Sequence, residues 1–335
     1  MLGADDKNFS SLKEVYQRHF SIGAAVNVHT IKSQRDLLAA QFNRITAENE
    51  MKFAKVHPEE GVYTFDNADQ LAEFAKENGM KMRGHTLGWH NQTPDWVFQD
   101  RNGVSADRAV LLNRMKEHIH TVVNRYKEQV YCWDVVNEAV TDEGPDLLRS
   151  TKWLDGIGAD YVRKAFEYAH EADPRALLFY NDYNESNPEK REKIYALLKS
   201  LLKQGAPVHG VGMQAHWNIS SPPVEHIRAA IERCASLGLQ IHITEMDVSV
   251  FEFDDRRTDL LKPTEQMMEL QEQRYDEFFK LFREYKDVIS NITFWGVADD
   301  YTWLNDFPVK GRKNWPFVFD EQHQPKPSFW RIARF

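Results

Sequence analysis

Cysteine is almost missing from this chain: only Cys132 and Cys234 occur in 335 residues, too few for a disulfide framework. Their strand-like and helix-like surroundings fit buried free thiols in a reducing compartment. No apolar window reaches the roughly 20 residues of a membrane helix, so no membrane association is expected. The opening MLGADDKNFSSLKEVY carries aspartates where a secretory leader would have its apolar region, and a cytoplasmic location is the expectation. Lysine and arginine gather into no block, and 42 of them against 51 acidic residues leave a net charge of −9. A phosphate-tracking stripe is thereby missing, and nucleic acid is not expected as a partner. Nor is an obligatory protein partner implied. Low-complexity tracts are absent too, and 42% hydrophobic with 28% charged residues is the composition of a globular protein.

Aromatic residues, in contrast, are plentiful, with 9 Trp, 12 Tyr and 20 Phe. Most must serve the core, but sugar rings present apolar C–H faces that also stack on such side chains.

Length alone allows one large barrel or two medium domains. The pattern along the chain decides: short apolar runs alternate with longer helical patterns, as in βα units. Strands are predicted at 22–27, 44–47, 81–86, 131–136, 176–181, 210–214, 240–244 and 291–296. Helices are predicted at about 66–78, 160–171, 188–204, 223–237 and 264–285, and one more is marked by the apolar spacing of Leu112, Met115, Ile119, Val122 and Tyr126. No linker divides the chain, and no glycine-rich phosphate loop follows the first strand, which disfavours a dinucleotide fold. Eight repeats predict an α/β protein, a single (β/α)8 TIM barrel over 1–335 without an appended carbohydrate-binding module.

In such a barrel the active site lies at the C-terminal strand ends. Those ends are polar: Asn27, Glu48 and Asn49, His85, Asn137 and Glu138, Asn181 and Asp182, Gln214 and His216, Glu245, and Trp295. Glu138 follows the apolar run YCWDVV and Glu245 follows QIHIT, and a carboxylate is costly there unless it is paired or used. Coming from the fourth and seventh strands, the two should face each other across the barrel mouth. Facing carboxylates suit glycoside hydrolysis, one protonating the leaving oxygen while the other attacks the anomeric carbon or activates water. A chain Glu245, His216, Asp247 is plausible, in which a polarised histidine keeps Glu245 ionised, although a lone histidine is at least as often an ordinary core residue. The apolar stretch before Glu138 suggests surroundings that keep it protonated, as an acid.

The histidines His85, His90, His209 and His216 show no HExxH spacing and no cysteine ligands accompany them, so neither a metal nor another cofactor is expected. Asp254, Asp255 and Asp259 lack the alternating calcium-loop pattern. Arg312 and Lys313 in GRKNW are either substrate-reaching or solvated loop charges.

The segments TAENEMK (46–52), GHTLGWH (84–90), WDVVNEA (133–139), NDYN (181–184), GMQAHW (212–217), ITEMD (243–247) and TFWG (293–296) together resemble glycoside hydrolase family 10, the endo-β-1,4-xylanases. The resemblance runs from about Ser11 to the C-terminus, and seven motifs in order make it specific; WDVVNE alone would mark only a broader group of retaining barrel glycosidases. It implies a hydrolase that cleaves internal xylosidic bonds of xylan or xylo-oligosaccharides by retaining double displacement, with Glu138 as acid/base and Glu245 as nucleophile. By the same resemblance Asn137 bonds the sugar 2-hydroxyl, Gln214 and His216 position Glu245, and Glu48, Asn49, Lys52 and His85 grip the non-reducing side. Trp89, Trp295 and Trp303 match the aromatic walls, and Tyr183 borders the leaving-group sugar. Gly88 departs from the family, which usually has a larger apolar side chain there, and leaves the packing beneath Trp89 open. Without an export signal, an intracellular bacterial enzyme for imported oligosaccharides is expected. A retaining β-1,4-glucanase is the rival within the chemistry, and a non-catalytic sugar-binding barrel the rival outside it.

Overall fold

The computed structural model describes residues 11–335; most of the acidic opening on which the leader expectation rests lies outside the described residues. Nine parallel-paired strands form the sheet: β1 (Ser21–Val26), β2 (Arg44–Ala47), β3 (Lys81–Gly88), β4 (Val130–Asn137), β5 (Leu177–Asp182), β6 (Gly210–Met213), β7 (His216–Asn218), β8 (Gln240–Ser249) and β9 (Ile289–Phe294). Eight of them close a barrel. β1 pairs with both β2 and β9, and β6 pairs with β8 in the register Gly210↔Gln240, so the eight staves close on themselves. The short β7 pairs only with β8, His216 lying opposite Asp247.

Helices cover the barrel between strands, as an all-parallel sheet requires on its outer face. Those at Asp66–Glu77, Arg108–Arg125, Tyr161–Ala172, Pro188–Lys203, Val224–Ala235 and Glu265–Glu284 fall where the apolar spacing predicts them. Their starts are chemically specified. Asp107 accepts from Val110 N, Asn187 from Glu189 N and Lys190 N, and Thr264 from Met267 N, each satisfying donors that a helix N-terminus leaves free. On the Arg108–Arg125 helix, Met115, Ile119 and Val122 are buried as expected, with Leu111 fully buried and Leu112 only partly. Short helices at Thr30–Ser33, Arg35–Gln41, Phe53–Val56 and Lys152–Ile157 were not expected. They span too few turns for a 3.6-residue repeat to register.

One strand differs from expectation in a way that matters for chemistry. β8 continues five residues past the predicted end at 244, because β7 supplies a second partner for its upper half. Glu245 therefore lies inside β8 rather than beyond its tip. Its pairing with β9 is irregular between Ile243 and Met246. β3 and β4 are likewise irregular between His85 and Gly88, and such bulges re-aim side chains where a regular pleat would not.

Candidate active site

Glu138 is the residue immediately after β4, and its backbone is left-handed, with φ 57°. A non-glycine residue pays about 1–2 kcal/mol for that conformation, so the surroundings must hold it. Two contacts do. The Glu138 N–H donates to the Asn181 carbonyl at 2.9 Å, and Arg149 Nε donates to the Glu138 carbonyl at 3.3 Å. The carboxylate is half-buried and accepts from Trp89 Nε1 at 2.9 Å, Gln214 Nε2 at 2.9 Å and Asn137 Nδ2 at 3.1 Å. The apolar surroundings expected for Glu138 are thus corrected. Besides the neighbouring Asn137, its oxygens are reached by Trp89 and Gln214, the residues that follow β3 and β6.

Glu245 is buried, and both of its oxygens are engaged. His216 Nε2 lies 3.1 Å from one, Asn181 Nδ2 donates to the other at 2.8 Å, and His216 Nδ1 lies 2.9 Å from Asp247. Burial alone pushes the His216 pKa down, but Asp247 and Glu245 outweigh it and raise it to about 10. At neutral pH both ring nitrogens therefore carry protons and donate. Burial raises the Glu245 pKa, and the His216 hydrogen bond, with His85 and the His216 charge, turns the net shift downward. The predicted chain through His216 is present.

Gln214 takes a different place from the one expected. Its side chain bonds Glu138 and, at 3.3 Å, Asn137 Oδ1, whereas only its backbone carbonyl meets Glu245, accepting the Glu245 N–H at 2.9 Å. Asn181 holds the Glu245 side chain instead, and its other contacts fix it. It donates to Asn137 Oδ1 at 2.9 Å and accepts from Thr244 Oγ1 at 2.7 Å. Space for it comes from Gly212, where an added Cβ would meet Asn181 Oδ1 at 2.1 Å. In the sequence Asn181 is visible as a polar strand end, but nothing local ties it to Glu245.

At the ends of β2 and β3, Lys52 is 7% exposed rather than a solvated charge. Its ammonium donates to Asn49 Oδ1 at 3.0 Å and stands 5.1 Å from the Trp89 ring. Burial lowers its pKa, opposed by the carboxylates of Glu245, Glu48, Glu138 and Glu50. One cation thus feels the charge of both candidate carboxylates. Glu48 accepts from Asn27 Nδ2 at 2.8 Å and from Tyr301 Oη at 3.0 Å, and burial raises its pKa against those donors. His85 is oriented from beneath by Asp134, 2.9 Å from its Nδ1, and Asp134 is in turn paired with the buried Arg83. Asn27, Tyr301 and Asp134 are support residues that the motifs did not single out for this role.

The aromatic walls form around these groups. Trp295 stands edge-on to His85 and His216 at 5.4 and 6.3 Å, and Trp303 donates through Nε1 to Asp247 at 2.8 Å. Trp89 needs no large residue at 88. A Cβ on Gly88 would lie 3.3 Å from the Val135 carbonyl, and Trp89 is held by Glu138, Lys52 and Trp153, whose Nε1 donates to the Trp89 carbonyl at 3.0 Å. On the opposite side Tyr183 has its hydroxyl fixed by Asp142 and Arg149 and its ring 4.5 Å from the Lys190 ammonium. Among the described residues no group of three or more His, Cys, Asp or Glu is placed to hold a metal ion.

Two carboxylates thus share one hydrogen-bond network through Asn181, Asn137 and Gln214, one held as an anion and one presented on a strained turn, beside a buried lysine and indole rings. The family model for glycosyl hydrolase family 10 matches residues 11–335. The chain is 61% identical to an endo-1,4-beta-xylanase of Geobacillus stearothermophilus, over 96% of this chain and 98% of the relative. It is 59% identical to endo-1,4-beta-xylanase B of Paenibacillus barcinonensis, over 96% and 97%. Among solved structures, a Paenibacillus barcinonensis xylanase complexed with a conduramine derivative superposes with a TM-score of 0.96 at 58% identity, covering 98% of this chain and 99% of that one.

Proposed function

The chain belongs to glycosyl hydrolase family 10, and from that premise we propose that it is an endo-β-1,4-xylanase that hydrolyses internal xylosidic bonds through a covalent glycosyl-enzyme intermediate. The observation that carries the reading is the contrast between the two carboxylates. Glu245 is held ionised by protonated His216 and oriented by Asn181, as a nucleophile requires. Glu138 is half-buried within reach of solvent, as a group that must give and later recover a proton requires.

In the first step Glu245 attacks the anomeric carbon while Glu138 delivers its proton to the departing glycosidic oxygen. In the second, Glu138 takes a proton from water, whose oxygen displaces Glu245 from the same carbon. Two inversions give net retention, which calls for carboxyl groups roughly 5–5.5 Å apart. Glu48, Asn49, Lys52, His85 and Trp89 grip the sugars on the non-reducing side, Asn137 bonds the 2-hydroxyl next to the cut, and Tyr183 borders the leaving-group sugar. A pentose-shaped grip of this kind discriminates against glucose, whose C6 hydroxymethyl needs extra room.

The test is hydrolysis of xylohexaose by wild type and Glu245→Ala, with product anomers followed by NMR. The β-anomer should appear first and the variant should be inactive; initial α-anomer, or full activity of the variant, would overturn the mechanism. Faster turnover of cello- than of xylo-oligosaccharides would favour the glucanase instead. The reading extends to a cytoplasmic bacterial enzyme for imported xylo-oligosaccharides, supported by Cys132 and Cys234 being buried free thiols. Cell fractionation with activity assay tests that location.

A further inference from the structure

Two of the most exposed large apolar side chains lie together beside the site. Phe253 is 65% exposed and Phe307 45% exposed, on loops otherwise rich in Asp, Arg and Lys. They are not isolated. Phe307 stacks on Trp303 with ring centroids 4.8 Å apart at 16°, Phe253 lies 6.3 Å from Phe307, and Trp303 lies 4.9 Å from His216. An aromatic row thus leads from the histidine that polarises Glu245 out to solvent.

The barrel fixes which way the row runs. Lys52, Glu48, His85 and Trp89 follow or end the second and third staves, β2 and β3. Phe253 follows β8, the seventh stave, which is four places from the third in a ring of eight and hence opposite it. Trp303 and Phe307 follow β9, the eighth stave, so the row runs from there to Phe253, whose place opposite the third stave is the side on which the leaving group departs. Its outer member is held in place rather than loose. Arg312 is 2% exposed, donates to the Asp255 carbonyl at 2.6 Å and packs 4.0 Å over the Phe251 ring, and Arg256 donates to the Phe253 carbonyl at 2.6 Å. Arg312 is thus a loop anchor, neither of the roles considered from sequence. A rigid, exposed aromatic face costs little ordering entropy when a ligand stacks on it, and an exposed apolar patch contiguous with a cleft marks a binding surface.

We propose that Phe307 and Phe253 form a stacking platform for the leaving-group portion of the substrate, taking the C–H faces of xylosyl units beyond the one that borders Tyr183. The proposal rests on the xylanase reading. It assigns to this loop pair a preference for long chains that the catalytic carboxylates do not supply.

The experiment compares wild type, Phe253→Ala and Phe253→Ala/Phe307→Ala on an aryl xylobioside, which places no sugar on the leaving side, and on xylohexaose, with cleavage positions read by chromatography. Both positions are exposed, so the variants should keep their fold, checked by thermal melting. Expected is an unchanged aryl xylobioside kcat/KM with a fall of about five- to tenfold on xylohexaose, the size of one to two lost aromatic contacts, and a shifted cleavage position. Unchanged xylohexaose kinetics, or equal losses on both substrates, would overturn the platform. So would a wild type that sediments as a dimer and a variant that sediments as a monomer, since the patch would then be a self-association surface. Wild type inactive on the aryl xylobioside would instead remove the xylanase reading, and the platform with it.

Discussion

The side-chain amide of Gln214 lies 2.9 Å from Glu138 Oε1, while the backbone carbonyl of the same residue receives the Glu245 N–H. The residue that follows β6 therefore sets the position of both carboxylates, by its side chain for Glu138 and by its main chain for Glu245. Substituting it removes only the first. Gln214→Ala should lose about 10- to 100-fold in kcat/KM on xylo-oligosaccharides, the equivalent of one hydrogen bond to a charged group. On a dinitrophenyl xylobioside, whose leaving group needs no proton, the loss should stay within a few-fold. Steady-state kinetics on the two substrates decide; equal losses would show that Gln214 serves Glu245 after all.

His216 couples Glu245 to Asp247, and its removal should be read in the pH profile. Glu245 is held below its ordinary range by His216, so His216→Asn should raise that pKa and move the acidic limb of kcat/KM to higher pH. The stability consequence has the opposite pH sense. A histidine raised to about 10 in the folded state contributes stability that is complete below its unfolded pKa of roughly 6.5 and lost as pH rises through about 10. Melting temperatures of wild type and variant should converge on the alkaline side. A gap that persisted unchanged from pH 6 to 11 would mean that His216 stabilises by packing alone.

The barrel was legible because buried parallel strands leave apolar runs of fixed length, and all eight staves lie within a few residues of their predicted places. Glu138 and Glu245 were legible for the same reason, as charges where apolar runs stop. What escaped depends on closure. Asn181 reaches Glu245 from β5 past Gly212 of β6, and Trp89 reaches Glu138 from the loop after β3; neither contact has a local sequence signal. The length of β8 escaped similarly, since three residues of β7 extend it. The apolar neighbours of Glu138 misled because Trp89 and Gln214 reach its oxygens from other parts of the barrel, contacts that nearness in sequence does not show.

Lys52 is a buried cation whose pKa the charges of Glu245, Glu48, Glu138 and Glu50 hold up against burial, with Asn49 as its hydrogen-bond partner. If it grips a sugar hydroxyl, Lys52→Met should raise KM for aryl xylobiosides by about 10- to 100-fold and leave kcat nearly unchanged. A fall in kcat at constant KM would show instead that the lysine acts on the carboxylates. Initial-rate kinetics separate the two.

The left-handed backbone of Glu138 makes a separate prediction about stability. Alanine at φ 57° bears the same steric cost as glutamate, whereas glycine does not. Glu138→Gly should therefore unfold in urea at higher concentration than Glu138→Ala, by about 1 kcal/mol, although both lack the carboxylate. Equal midpoints would mean that the turn relaxes once the side chain is gone.

Acid sensitivity should come from a pair of buried histidines. His57 and His118 are buried with their Nδ1 atoms 3.3 Å apart, and Phe53 stacks on them at 5.5 and 3.5 Å. Among the described residues neither Nε2 has a partner, so a second proton would place an unpaired charge in an apolar stack. Burial pushes the His57 pKa down to about 4, and burial, with His57 beside it, pushes that of His118 well below its ordinary value. Below roughly pH 6.5 the unfolded chain binds protons that the folded chain refuses, so stability must fall steadily between about pH 6.5 and 4. Phe53 directly follows Lys52, so disruption of the stack should reach the lysine, and activity is expected to fall over the same range. His57→Leu/His118→Leu should flatten the dependence of Tm on pH in that window, whatever its effect at neutrality. A variant whose Tm fell as steeply as that of wild type would assign the acid lability to buried carboxylates such as Asp134 and Glu245, whose lowered pKa values give the same direction of change but at lower pH.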